Sequence, residues 1–123
     1  MNLSAALAYL DQHTNLEATA GRAEGLSLDR MTKLVHALGD PQAAYPVIHI
    51  TGTNGKGSTT QMVTRLLMAH GLTVGTYSSP HLERLNERIS RNAEPISDDD
   101  FAEQIAALAE IEIVAGVRPT YFE

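Results

Sequence analysis

A glycine-rich segment joins a β-branched run to a helical pattern near the middle of the chain. Residues 47–50 (VIHI) are short, apolar and mostly β-branched, which is typical of a strand buried on both faces. Residues 51–58 read TGTNGKGS, and apolar residues then recur at helical spacing up to Gly71, the expected C-cap. Residues 72–77 (LTVGTY) again have strand chemistry. This order predicts a βαβ unit with a right-handed crossover and two parallel strands.

Helical patterns flank this unit and complete an α/β arrangement. The predicted helices cover the first dozen residues, residues 28–38 and residues 98–112. Gly39-Asp40-Pro41 ends the second helix, since glycine accepts the left-handed C-cap conformation and proline cannot continue a helix. Ser97 is expected to cap the third. Loops are expected at residues 14–26 and 78–95.

Composition narrows the class of protein. With 123 residues, 43% of them apolar and 20% charged, the chain reads as one ordinary globular domain at most. The absence of cysteine excludes a disulfide framework, a thiolate zinc site and a cysteine nucleophile. A net charge of −6 argues against nucleic acid as a partner. Because no apolar run of about 18 residues and no basic secretory leader is seen, we expect a cytoplasmic protein without membrane contact.

The glycine-rich segment has the chemistry of a phosphate site. Glycines allow positive φ angles and close approach of the backbone to a ligand, and a helix N-terminus supplies about half a positive charge. Lys56 is expected to reach the β- and γ-phosphates of a nucleotide, with the Ser58 or Thr59 hydroxyl near the phosphates or their Mg²⁺. The residues expected to bind the nucleotide are Gly52, Thr53, Asn54, Gly55, Lys56, Gly57, Ser58 and Thr59.

The spacing makes this segment a variant of the usual P-loop. Gly52 stands three positions before Gly55, where the usual first glycine stands five before, and Gly57 separates the lysine from the hydroxyl. The alternative interpretation is a glycine-rich strand-to-helix turn with an incidental lysine.

The segment ITGTNGKGST, followed by SSPHL and NERI, resembles the N-terminal part of the folylpolyglutamate synthase and dihydrofolate synthase family, within the Mur ligase superfamily. The upstream stretch GLSLDRMTKLVHALGDP and the final PTYFE are similar to the lead-in and to the T-x-F-E motif of that family. The resemblance covers most of the chain. It implies a P-loop-type parallel sheet flanked by helices, the N-terminal portion of a Mur-ligase-like ATPase domain.

The resemblance also implies an activity. It points to an ATP-dependent, amide-forming ligase of folate biosynthesis that adds L-glutamate to dihydropteroate or reduced folates through an acyl phosphate, with Mg²⁺ and with Lys56 as catalytic residue. Family members are several times longer than these 123 residues. We therefore interpret residues 1–123 as an incomplete N-terminal part of the ATP-binding domain and expect it to be inactive alone. The full enzyme is expected to be a monomer, whereas the exposed apolar sheet edges of the fragment favour self-association.

Two residues would bind the metal if the resemblance holds. In the family, the second serine of the SSPH motif, here Ser79, is a Mg²⁺ ligand, and so is the glutamate of T-x-F-E, here Glu123. Hydroxyl and carboxylate oxygens suit this hard cation. For each there is a local alternative: SSPH also fits an ordinary loop, and Thr120 with Glu123 fits a capping box of a helix.

A basic loop follows the SSPH motif. Three of the nine basic residues fall between positions 81 and 92, and the family's loop lies along the active site. The resulting substrate candidates are His81, Arg84 and Arg88, with Arg91 close by. The guanidinium groups of the arginines suit carboxylates and phosphates. The alternative is a solvated loop whose arginines pair with Glu83 and Glu87.

Other polar features favour structural roles, and two other functions stay open. The acidic run Asp98-Asp99-Asp100 fits the dipole-favoured first turn of a helix better than a cation site. The isolated histidines predicted to be structural are His13, His36, His49 and His70. The glycine-rich segment would equally serve a P-loop nucleotide hydrolase or phosphotransferase, or a non-catalytic nucleotide-binding fragment.

Overall fold

The computed structural model describes residues 1–16 and 27–123. These residues form two compact units. Unit 1 comprises Met1–Pro46 and Ala102–Glu123, and unit 2 comprises Val47–Phe101. Most of the predicted loop over residues 14–26 lies outside the described residues. Within the part that is described, no helix has the length and apolar character needed to cross a membrane.

Unit 1 is built from helices whose ends follow local sequence signals. Helix α1 spans Leu3–Leu10, and the Asn2 side chain caps it by accepting the Ala5 N–H at 2.9 Å. Helix α2 spans Asp29–Ala37, one residue shorter than predicted at each end, and the Ser27 hydroxyl oxygen accepts the Asp29 N–H at 3.1 Å.

The predicted stop after α2 is confirmed in atomic detail. Gly39 adopts φ +83°, and its N–H donates to the His36 carbonyl at 3.0 Å. The Asp40 N–H donates to the Val35 carbonyl at 2.8 Å, which completes a Schellman motif. Pro41 then begins a short 3₁₀ turn, Pro41–Ala43, because proline is well suited to a first helical position.

A partly buried polar cluster links the two ends of unit 1. The Tyr9 hydroxyl donates to Glu112 Oε2, and His13 Nε2 lies 3.1 Å from the same oxygen. Arg118 approaches the other Glu112 oxygen at 3.4 Å. Burial lowers the pKa of His13, the charge of Arg118 lowers it further, and the backbone of Leu10 partly offsets both. His13 is therefore a structural residue, as predicted.

Unit 2 combines one long helix with a small sheet. Helix α3 spans Lys56–Ala69, and Gly71 ends it at φ +80°, as predicted. The three strands are β1 (Gly75–Tyr77), β2 (Ile89–Arg91) and β3 (Glu94–Pro95), in the order β1-β2-β3 with antiparallel pairing throughout. Tyr77 pairs with Ile89 in the β1–β2 register. A hydrogen bond of 2.8 Å between the hydroxyls of Thr64 and Thr76 joins α3 to β1.

The predicted parallel strand pair is not formed within the described residues. Residues 47–50 form no strand, and Val47 and Ile48 are 68% and 61% exposed. A β-branched run becomes a strand only when a neighbouring strand takes up its backbone hydrogen bonds. Strand β1 instead pairs with β2, because the intervening loop reverses the chain direction. The α/β class is confirmed, with an antiparallel sheet in place of the predicted parallel pair.

The last helix, α4, spans Asp98–Ala115 and extends three residues beyond its predicted end. The Ser97 hydroxyl caps it by accepting the Asp100 N–H at 3.1 Å and donating to the Asp100 carboxylate at 2.8 Å. Phe101 and Ile105 lie on the buried face of α4 and are 3% and 7% exposed. The acidic run is thus the first turn of this helix, as predicted.

Candidate functional site

The glycine-rich segment forms the expected turn into a helix. Gly52 and Gly55 adopt φ +152° and +76°, conformations that favour glycine, and Gly55 is the N-cap of α3. Gly57 lies in the first helical turn, where an added Cβ would meet nothing within 4 Å. Residues 51–59 are all exposed, so the backbone of this segment is open to a ligand.

Several backbone N–H groups lie close together where the glycine-rich segment joins helix α3. The Thr59 N–H donates to the Gly55 carbonyl at 2.9 Å. The amides of Lys56, Gly57 and Ser58 precede this bond and belong to the first turn, whose N–H groups have no partner inside a helix. Together with the helix dipole, they provide the means of binding an anion that the sequence predicts.

Lys56 folds back over the segment it follows. Its Nζ donates to the Gly52 carbonyl at 2.6 Å, which closes the turn from within. The side chain is exposed, so an anionic ligand can compete for the ammonium group. The lysine therefore lies at the amide-lined turn, although its present partner is a neutral carbonyl oxygen.

The SSPH segment follows β1 and is fastened at both ends by one residue. The Ser78 N–H donates to the Arg88 carbonyl at 2.9 Å, and Arg88 Nε donates to His81 Nδ1 at 2.9 Å. Ser79, between them, is exposed. Arg88 is only 6% exposed, so this substrate candidate is buried and bound to another candidate, His81.

Glu87 organises the basic loop, a role that the sequence analysis missed. Its carboxylate accepts the N–H groups of Leu82, Glu83 and Arg84 at 2.8, 3.0 and 2.8 Å. Glu87 therefore does not pair with a loop arginine, as the alternative of a solvated loop would have it. The usable signal was the spacing, because a glutamate three residues after Arg84 can cap the 3₁₀ turn Leu85–Arg88.

Arg84 is held by the first acidic residue of α4. Its guanidinium lies 2.5 Å from Asp98 Oδ1, and Asn86 Nδ2 donates to the same oxygen at 3.1 Å. Asn86 also donates to the Ile96 carbonyl at 2.9 Å. The loop is thus fixed to the start of α4, and Arg84 pairs with Asp98, not with the Glu83 or Glu87 of the solvated-loop alternative.

We expect the Glu87 contacts to make the chain sensitive to acid. The three amide hydrogen bonds lower the pKa of Glu87 below its usual 4.5, so the folded chain holds fewer protons there than the unfolded chain. The resulting stability is present above about pH 4.5 and is lost as pH falls through the lowered pKa. Urea unfolding from about pH 7 to about pH 3 should show a smaller loss of stability for Glu87→Gln than for wild type. The matched control is Glu83→Gln, which should keep the wild-type pH dependence.

Glu123 forms the local capping box that was the alternative to its metal role. The Thr120 N–H donates to Glu123 Oε2 at 2.7 Å, and the Glu123 N–H donates to the Thr120 hydroxyl at 3.3 Å. Arg30 Nε also donates to Oε2, at 3.1 Å. Burial raises the pKa of Glu123, but the hydrogen bonds from Thr120 and Arg30 together lower it below the usual value. The carboxylate is therefore anionic at neutral pH.

The metal prediction concerns residues of different units. Ser79 belongs to unit 2 and Glu123 to unit 1, and each has the oxygen chemistry that Mg²⁺ favours. Among residues 1–16 and 27–123, no group of three or more His, Asp or Glu side chains has the arrangement of a metal site. The metal role of Ser79 and Glu123 stays a prediction.

Comparisons with known proteins agree with the motifs. No family model matches the chain. The folylpolyglutamate synthase of Lacticaseibacillus casei is 42% identical over 106 residues, covering 86% of this chain and 23% of the relative. A dihydrofolate synthase/folylpolyglutamate synthase of Haemophilus influenzae is 34% identical over all 123 residues, which cover 28% of its length. The chain thus spans about a quarter of these curated relatives.

Solved structures extend the agreement to the fold. The complex of FPGS with AMPPCP and folate matches at a TM-score of 0.85 and 37% identity, over 99% of this chain and 30% of that one. The apo form of the L. casei FPGS matches at a TM-score of 0.84 over the same share of this chain, 99%. The resemblance first drawn from the loop motifs is confirmed, and the chain belongs with the N-terminal part of the folylpolyglutamate synthase and dihydrofolate synthase family.

Proposed function

We propose that this chain forms the nucleotide-phosphate-binding part of an ATP-dependent ligase that adds L-glutamate to dihydropteroate or folate. The observation that carries the proposal is the turn over residues 52–59, where left-handed glycines, first-turn amides and Lys56 come together at the start of α3. The relatives named for this activity and the complex with AMPPCP and folate support it.

The proposed chemistry needs two transfers. The substrate carboxylate oxygen attacks the γ-phosphorus of ATP, and the bond between that phosphorus and the β-phosphate oxygen breaks. The products are ADP, which is released, and an acyl phosphate of the substrate. The glutamate amine then attacks the acyl carbon, inorganic phosphate leaves, and the nitrogen gives up a proton. Catalysis of such phosphoryl transfer is mainly positioning and charge stabilisation.

In this proposal Lys56 provides charge for the first transfer. Its ammonium group leaves the Gly52 carbonyl and binds the β- and γ-phosphates, while the amides at the start of α3 bind phosphate oxygens. The Ser58 and Thr59 hydroxyls are exposed beside these amides and suit the phosphates or the metal. The charge on the phosphates would outweigh the dipole of the carbonyl that Lys56 now binds.

We propose Ser79 as a ligand of the Mg²⁺ that accompanies the nucleotide, because its exposed hydroxyl is held on a fixed loop. Bound Mg²⁺ would offset negative charge on the phosphates during transfer. Glu123 keeps its predicted metal role as a separate proposal, supported by its anionic state. His81 and Arg84 remain the proposed substrate contacts of the loop.

The test is an assay of a chimera in which this chain replaces the matching segment of the L. casei enzyme. ADP formation should require both glutamate and a pteroate or folate substrate. Phosphate release that needs neither would favour a nucleotide hydrolase or phosphotransferase. ATP binding without turnover, in a chimera whose parent is active, would favour a non-catalytic nucleotide-binding segment.

A further inference from the structure

Arg88 is a charged residue with an unusual position in a polar loop. It ends the 3₁₀ turn Leu85–Arg88 and is only 6% exposed. Removing a guanidinium from water is unfavourable unless hydrogen bonds compensate. Such a residue is poorly placed to meet a substrate and well placed to hold the surrounding backbone.

Two partners of Arg88 lie at the two ends of one short segment. Its carbonyl accepts the Ser78 N–H at 2.9 Å, and its Nε donates to His81 Nδ1 at 2.9 Å. Because the arginine nitrogen can only donate, Nδ1 is the acceptor of this hydrogen bond. The contact fixes the orientation of the ring as well as its place.

We propose that Arg88 is a positioning residue that clamps Ser78 and His81 so that the Ser79 hydroxyl between them is presented to the Mg²⁺ of bound nucleotide. Residues that orient a metal ligand commonly change metal affinity about 10–100-fold when they are replaced. The effect on Mg²⁺ rests on the proposed function, whereas the clamp itself does not.

The clamp is testable by NMR on the 13.3 kDa chain without ligand. Arg88 Nε and His81 Nδ1 should show a scalar coupling across their hydrogen bond. In Arg88→Met the coupling disappears, and the amide signals of Ser79 and His81 shift. The matched control is Arg65→Met, an exposed arginine of α3, which should leave both unchanged. A wild-type chain without the coupling, or unmoved Ser79 and His81 amides in Arg88→Met, overturns the clamp.

The effect of Arg88 on Mg²⁺ binding is tested by measuring the affinity of each variant for ATP, once with Mg²⁺ and once with a metal chelator. Arg88→Met should lose about 10–100-fold in the affinity gained from Mg²⁺ while keeping the affinity for metal-free ATP. A second pair of variants, which replace His81 with asparagine or with leucine, controls for misfolding. The two replacements have nearly the same shape, so a difference between them reports on the hydrogen bond. His81→Asn, which retains an acceptor near the Nδ1 position, should keep the Mg²⁺ gain, and His81→Leu should lose it.

The outcomes separate this inference from the proposed function. An equal Mg²⁺ gain in Arg88→Met and Arg65→Met, or in His81→Asn and His81→Leu, contradicts the positioning role. A wild-type chain that binds neither form of ATP contradicts the nucleotide site, and the NMR comparison then decides the clamp on its own.

Discussion

Replacing Lys56 with alanine is expected to lower ATP-dependent ligation in the chimera by at least about 10²–10³-fold. The reason is that the variant loses the only ammonium group at the turn over residues 52–59, where the transferring phosphoryl gathers charge. The backbone amides of the turn remain, so weak nucleotide binding is expected to survive. The measurement is the rate of ADP formation at saturating glutamate and folate.

The chain offers a matched control for this prediction. Its only other lysine, Lys33, is exposed on α2, and Lys33→Ala removes the same kind of side chain from a residue outside the turn over residues 52–59. We expect wild-type turnover from it. Turnover by Lys56→Ala equal to that of Lys33→Ala would rule out the proposed role of Lys56.

Replacing Phe101 with alanine is expected to destabilise the chain by about 3–5 kcal/mol. Phe101 is 3% exposed on α4, so the substitution removes a ring from a close-packed site and leaves a cavity. A loss of this size is a large part of the stability of a small domain. Urea unfolding followed by circular dichroism measures it.

The second phenylalanine supplies the comparison. Phe122 is 53% exposed, and Phe122→Ala should change the free energy of unfolding by much less, about 0.5 kcal/mol. Equal losses in the two variants would mean that α4 does not form the core the structure describes.

The helices and the glycine-rich turn over residues 52–59 were predictable because their signals are local. Glycine can adopt the left-handed conformation that ends a helix, so Gly39 and Gly71 marked the ends of α2 and α3. Ser97 marked the start of α4 through its side-chain oxygen. The positive φ angles of the glycine-rich segment follow from the same conformational rule.

The sheet and the loop contacts were harder to predict because they depend on partners distant in sequence. Residues 47–50 have strand composition, but composition does not say which strand will pair with them. The pairing of β1 with β2 depends on the loop between them, which Glu87 shapes through three backbone amides. Charge alone suggested arginine side chains as partners of the Glu87 carboxylate, whereas in the structure it accepts backbone N–H groups.

The most direct test of the central claim is thermal unfolding of this chain with and without Mg-ATP. A ligand at about 100 times its Kd adds about 2.7 kcal/mol to a folded, competent site. Mg-ATP should stabilise wild type and Lys33→Ala by this amount and Lys56→Ala by much less. A cooperative transition that Mg-ATP does not move, or one that it moves equally in Lys56→Ala, would contradict the claim that the turn over residues 52–59 binds nucleotide phosphates.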